Sequence, residues 1–163
     1  MKRSEVNIII QEAKVFFQEM KFQLPLWAYW SPEEWKGSYE NCSEIVDNNL
    51  GWDITDFGSG DFVNFGLTLF TIRNGNIKKK DKTYCEKIMI AGENQVTPLH
   101  FHWNKSEDII NRGGGNLVME LYNAKENDEP DDVPVQVQID GVKTMVNPGE
   151  QLIMLPGQSI CLE

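Results

Sequence analysis

VQVQIDGVKTMV, residues 135–146, decides the fold class. Val135, Val137 and Ile139 alternate with Gln136 and Gln138, the period of a strand with one face buried and one face wet. Asp140-Gly141 follows, the kind of dipeptide that a tight hairpin turn wants because both central positions need positive φ. Residues 142–146 then run back. Two strands joined by two residues read as an antiparallel hairpin.

The same texture extends outward. Short apolar or β-branched runs at 62–65, 67–73, 84–90, 96–103, 117–122, 152–155 and 159–162 are candidate strands, broken by Gly, Asn and Asp. Asn74-Gly75 is a second tight-turn signal, and Gly113-Gly114-Gly115 marks a turn before the strand at 117. Residues 123–132, NAKENDEPDD, form an acidic loop. Turn signals about every 8–12 residues indicate a β-sandwich or small barrel.

The first 45 residues differ. Val6, Ile9, Ile10, Ala13, Phe17 and Met20 fall on one helical face, and Ser4 is a candidate N-cap. Ser31-Pro32-Glu33-Glu34 has the pattern of a capping box with proline in the first helical position, and Gly37 keeps that helix short. Trp27, Trp30 and Trp35 read as packing residues. The expectation is one mainly β domain over 1–163, in which a helical segment (1–45) packs on a β part (46–163).

Composition narrows the function. The 163 residues carry a net charge of -10, with 25 acidic against 15 Lys and Arg, so phosphate backbones are repelled and nucleic acid is not an expected partner. The basic run at Lys78, Lys79 and Lys80 reads as a solvated loop. No apolar run approaches the roughly 20 residues that span a bilayer, so no membrane partner is expected. MKRSEVNIII is a poor signal peptide. Cys42, Cys85 and Cys161 are widely spaced without a CxxC, which suits reduced thiols in a cytoplasmic protein.

TPLHFHWNKSEDIINRGGG, residues 97–115, contains both histidines of the chain. If residues 96–103 form a strand, His100 and His102 project together and Leu99 and Phe101 point the other way. Glu107 can fold back after a turn at 104–106. Two imidazoles and a carboxylate suit Mn, Fe, Zn, Co or Ni better than Ca or Mg. The plainer alternative is a pair of surface histidines on a strand.

Gly92, His100-x-His102, Glu107 and Gly114 resemble the first motif of the cupin superfamily. The blocks TPLHFHWNKSEDIINRGGGNLVMELY and NPGEQLIMLPGQSICLE, with YWSPEEW near the N-terminus, resemble the D-lyxose ketol-isomerase family of cupins over the whole chain. That resemblance implies a cupin-type jelly-roll β-barrel with short N-terminal helices. It implies metal ligands at His100, His102 and Glu107, with manganese as the usual ion. It further implies a catalytic role for Lys105, a homodimer, and interconversion of D-lyxose and D-xylulose with some action on D-mannose and D-fructose.

The family pattern continues into a PG-x-Y-H segment whose histidine is the fourth ligand, and this sequence ends at Glu163 before reaching it. A barrel truncated at its C-terminus, with weak metal binding and an open apolar edge at 159–162, is therefore expected. Asp108 reads either as an orienting carboxylate or as a surface one, Arg112 as a partner for either acid, and Trp103 as a sugar platform or a core residue. Two other classes fit the same triad: an Fe(II) oxygenase and a non-catalytic sugar-binding cupin.

Overall fold

Apolar residues at helical spacing build the first element, α1 (Arg3–Glu19), which buries Ala13 and Phe17. Its N-cap is Lys2 and not Ser4. Starting there puts Glu5 at the third helical position, where its Oε2 accepts the Lys2 backbone N–H at 2.6 Å. The second capping signal is realised as read. Before α2 (Pro32–Ser38), Ser31 N–H donates to Glu34 Oε2 at 2.7 Å and Glu34 N–H donates to Ser31 Oγ at 3.3 Å. A short α3 (Ser43–Asp47) follows.

The computed structural model describes residues 1–79 and 82–162. It divides into two units, Met1–Pro98 and Leu99–Glu163.

In the first unit, β1 (Gly51–Thr55), β2 (Leu67–Asn74) and β3 (Cys85–Ile90) make an antiparallel sheet in that order. Phe17 and Phe70 lie at its core with Leu24 and Ala28, and Trp27, Trp52 and Ile88 pack around them. Phe70 is fully buried, and Trp27 stacks on it with ring centroids 4.8 Å apart. Burying such an aromatic contributes about 1.5–3 kcal/mol. Trp30 meets Trp35 edge-on at 5.0 Å, so the tryptophans of this segment pack as expected.

Two expected features take a different form. Residues 62–65 are a turn and not a strand. Asp61 closes it, accepting the Phe65 N–H on its carbonyl at 2.9 Å and the Asn64 N–H on Oδ1 at 3.2 Å. Asn74-Gly75 is not a two-residue turn either. Residues 75–84 link β2 to β3, and Gly75 N–H donates to Tyr84 O at 3.1 Å to close the neck. Lys78 and Lys79 are exposed in a 3-10 turn, where Lys79 pairs with Asp47; Lys80 lies outside the described residues.

The second unit is all β. β4 (Glu107–Ile110), β6 (Val135–Ile139), β7 (Val142–Val146) and β9 (Ser159–Leu162) form a sheet in the order β4-β9-β6-β7. β5 (Leu117–Glu120) pairs with β8 (Gln151–Met154), and every pairing is antiparallel. Val135, Val137, Val146, Met154 and Ile160 form the core, with Met154 and Ile160 at 0% and 1% exposure. The hairpin at 135–146 is realised as read, with Asp140 and Gly141 at φ 50° and 79°.

β9 is not an open edge. It lies between β4 and β6, and Ser159 binds Asp140 Oδ1 through N–H at 2.7 Å and through Oγ at 3.0 Å. The protein is thus mainly β, with antiparallel sheets and short helices. Among the described residues no helix is long and apolar enough to cross a membrane.

Candidate active site

Residues 97–106 are not a strand. Val96 makes one isolated bridge to Phe65, and regular pairing does not resume until Glu107. Pro98 offers no N–H to a ladder, and a residue before proline is biased to extended backbone, here Thr97. The conclusion drawn from a strand survives without one. His100 and His102 still meet, ring centroids 5.0 Å apart and nearly perpendicular. Phe101 and Trp103 meet in the same way at 4.8 Å.

These residues are exposed rather than lining a barrel interior. Trp103, at 69% exposure, is not a core residue.

Glu107 opens β4 and shares its alternating face with Ile109, which packs on the core. Asp108 lies on the other face and is exposed. Arg112 is exposed beyond the end of the strand. Lys105 precedes Glu107 by two residues, and its Nζ reaches Glu107 Oε1 at 2.5 Å. The other carboxylate oxygen, Oε2, stands 3.7 Å from His102 Nε2.

Partial burial pushes the Glu107 carboxyl up. The Lys105 hydrogen bond and charge, then the charges of His102 and His100, outweigh that and hold it below the ordinary value. The carboxylate is therefore ionised at neutral pH and able to ligate.

The donor chemistry fits a divalent ion: two imidazoles beside an ionised carboxylate. Among the described residues, however, no group of three or more His, Cys, Asp or Glu side chains is drawn together closely enough to cage one. His102 and Glu107 are in place; His100 lies against His102 rather than closing a third position.

Asn111 was passed over in the sequence reading. It is 8% exposed and ties the glycine turn at 113–115 to the end of β8. Its Nδ2 donates to Gly115 O at 2.9 Å and Met154 O at 2.8 Å, and its Oδ1 accepts the Gly113 N–H at 3.0 Å. The signal was an Asn two residues ahead of the glycine run, the pattern of an Asx turn.

The family model for D-lyxose isomerase matches residues 1–163. The D-lyxose/D-mannose isomerase of Escherichia coli O157:H7 is 48% identical over 165 aligned positions, covering 99% of this chain and 73% of that protein. The D-lyxose/D-mannose isomerase of Serratia proteamaculans is also 48% identical, over 99% of this chain and 72% of its own length. The chain belongs to the D-lyxose isomerase family. Membership makes it a sugar isomerase of the aldose–ketose class. Both histidines, the lysine and the glutamate of the candidate site fall in the matched region.

Proposed function

We propose that this D-lyxose isomerase family member interconverts D-lyxose and D-xylulose, and D-mannose and D-fructose, with a divalent metal, most readily Mn²⁺, held by His100, His102 and Glu107. The relatives' substrates support the first part. The observation that carries the second is the convergence of His102 and Lys105 on the Glu107 carboxylate, with His100 against His102.

The reaction moves one proton between C1 and C2 and exchanges carbonyl for hydroxyl. The ion would supply positive charge where negative charge develops on the two oxygens. Lys105 is the group we assign to proton transfer at the sugar oxygens: its ammonium gives a proton to the carbonyl oxygen and is restored by the proton that the neighbouring hydroxyl gives up. A positioned acid–base group typically contributes a factor of about 10²–10⁴. Glu107 keeps the Lys105 ammonium in place through its hydrogen bond, and the exposure of the segment leaves room for a sugar to approach.

The antiparallel sheets of residues 99–163 agree with a cupin jelly-roll barrel, which we adopt as the fold of this part. We also adopt the cytoplasm as location and a homodimer as the assembly, both on the family resemblance.

The deciding experiment supplies the protein with Mn²⁺ and D-lyxose or D-mannose and measures ketose. Ketose from D-lyxose supports the reading; none from either sugar rejects it.

A further inference from the structure

The two oxygens of Glu107 have different partners. Oε1 holds Lys105 Nζ at 2.5 Å, while Oε2 faces His102 Nε2 at 3.7 Å. The second distance is too long for a hydrogen bond, which for N and O runs about 2.7–3.2 Å. It is short enough for an ion to reach both atoms, since each ligand atom stands about 2.0–2.2 Å from a bound ion. Lys105 and Glu107 are two residues apart, at the entry to β4, and their side chains meet there.

We propose that Lys105 is a positioning residue for the metal ligand. By occupying Oε1 it turns Oε2 toward His102 and limits Glu107 to ligation through one oxygen. This rests on the metal reading above and goes beyond it, because it gives Lys105 a task before any sugar binds. The pair is half-exposed, with side-chain exposures of 45% for Lys105 and 35% for Glu107, so removing the lysine leaves the core untouched.

The test measures Mn²⁺ affinity in the absence of sugar, by the loss of the free-ion electron paramagnetic resonance signal. It compares wild type, Lys105→Met and Lys105→Arg. Partners that orient a metal ligand typically contribute about 10–100-fold to affinity. Lys105→Met is expected to bind Mn²⁺ at least about tenfold more weakly. Lys105→Arg, which restores a donor to Oε1, is expected to recover most of that loss. Equal or tighter binding by Lys105→Met overturns the inference and leaves the metal reading standing, since it would make the lysine a bystander or a competitor for the carboxylate. Failure of Lys105→Arg to recover any affinity also overturns it. No Mn²⁺ binding by the wild type overturns the metal reading and the positioning role together.

Discussion

Glu107 Oε2 and His102 Nε2 stand 3.7 Å apart, across the bend that separates the histidine segment from β4. The bend at 103–104 takes the place of the turn at 104–106 that was expected to fold Glu107 back, and it brings imidazole and carboxylate together. If both are ligands, His102→Ala should lower bound metal well below wild type. Elemental analysis after equilibration with Mn²⁺ checks this, and equal metal content in the two proteins would remove His102 from the ligand set.

Lys105→Ala should reduce kcat by about 10²–10⁴-fold if the lysine moves a proton. The measurement is made at saturating Mn²⁺, so that weaker metal binding does not enter. Wild-type kcat under those conditions would leave Lys105 with its positioning role alone.

Asn111→Ala should destabilise the second unit by about 1–3 kcal/mol. The Met154 carbonyl is left without its partner in a buried place, and each orphaned buried polar group costs about 1–3 kcal/mol. Urea denaturation followed by tryptophan fluorescence or circular dichroism reports the change. A shift within about 0.5 kcal/mol, the range of ordinary surface substitutions, would show that water replaces the amide without cost.

How much of this was visible in the sequence depends on where the stabilising contacts lie. The 135–146 hairpin and the Ser31–Glu34 capping box are local, and their residues specify them unaided. β1 was missed because Gly51-Trp52-Asp53-Ile54-Thr55 has weak strand character of its own and is recruited by pairing with β2. β4 was missed because Glu107 and Asp108 look like a loop; pairing with β9 makes the strand. The 96–103 segment erred the other way. Its alternation is genuine, but a strand needs a regular ladder, and Pro98 has no N–H to give to one. At the site, residue types and spacing were legible, whereas the division of the two Glu107 oxygens between Lys105 and His102 is a matter of side-chain geometry.

The helix cap supplies a pH dependence. The Ser31 backbone and side-chain hydrogen bonds hold the Glu34 carboxyl below its ordinary value. A depressed folded-state value means that the cap's stabilisation is present above the ordinary carboxylate range and is lost as pH falls through the folded value. The Ser31 amide should therefore lose protection from hydrogen exchange only as pH falls below that range, through the folded value, and Glu34→Ala should show the lower protection at every pH above it. Protection that is flat with pH in the wild type would contradict this.

Gly149→Ala should destabilise through two separable effects. A Cβ at this position would stand 2.5 Å from the Tyr122 hydroxyl, and φ of 70° is unfavourable for alanine. Tyr122→Phe in the same chain should recover most of the steric part, since only Cζ at 3.2 Å then stays close, and leave a backbone cost of about 1 kcal/mol. Additive effects of the two substitutions in a thermal-unfolding cycle would count against the contact.

The most direct measurement is conversion of D-lyxose to D-xylulose by the protein, with Mn²⁺ and after its removal by a chelator, for the wild type and for Glu107→Gln. Conversion is expected only in the metal-loaded wild type, with Glu107→Gln lower by at least about 10²-fold, since the substitution removes both the ligating charge and the anchor of Lys105. Equal conversion with and without metal, or an unimpaired Glu107→Gln, would contradict a metal-dependent isomerase centred on this carboxylate.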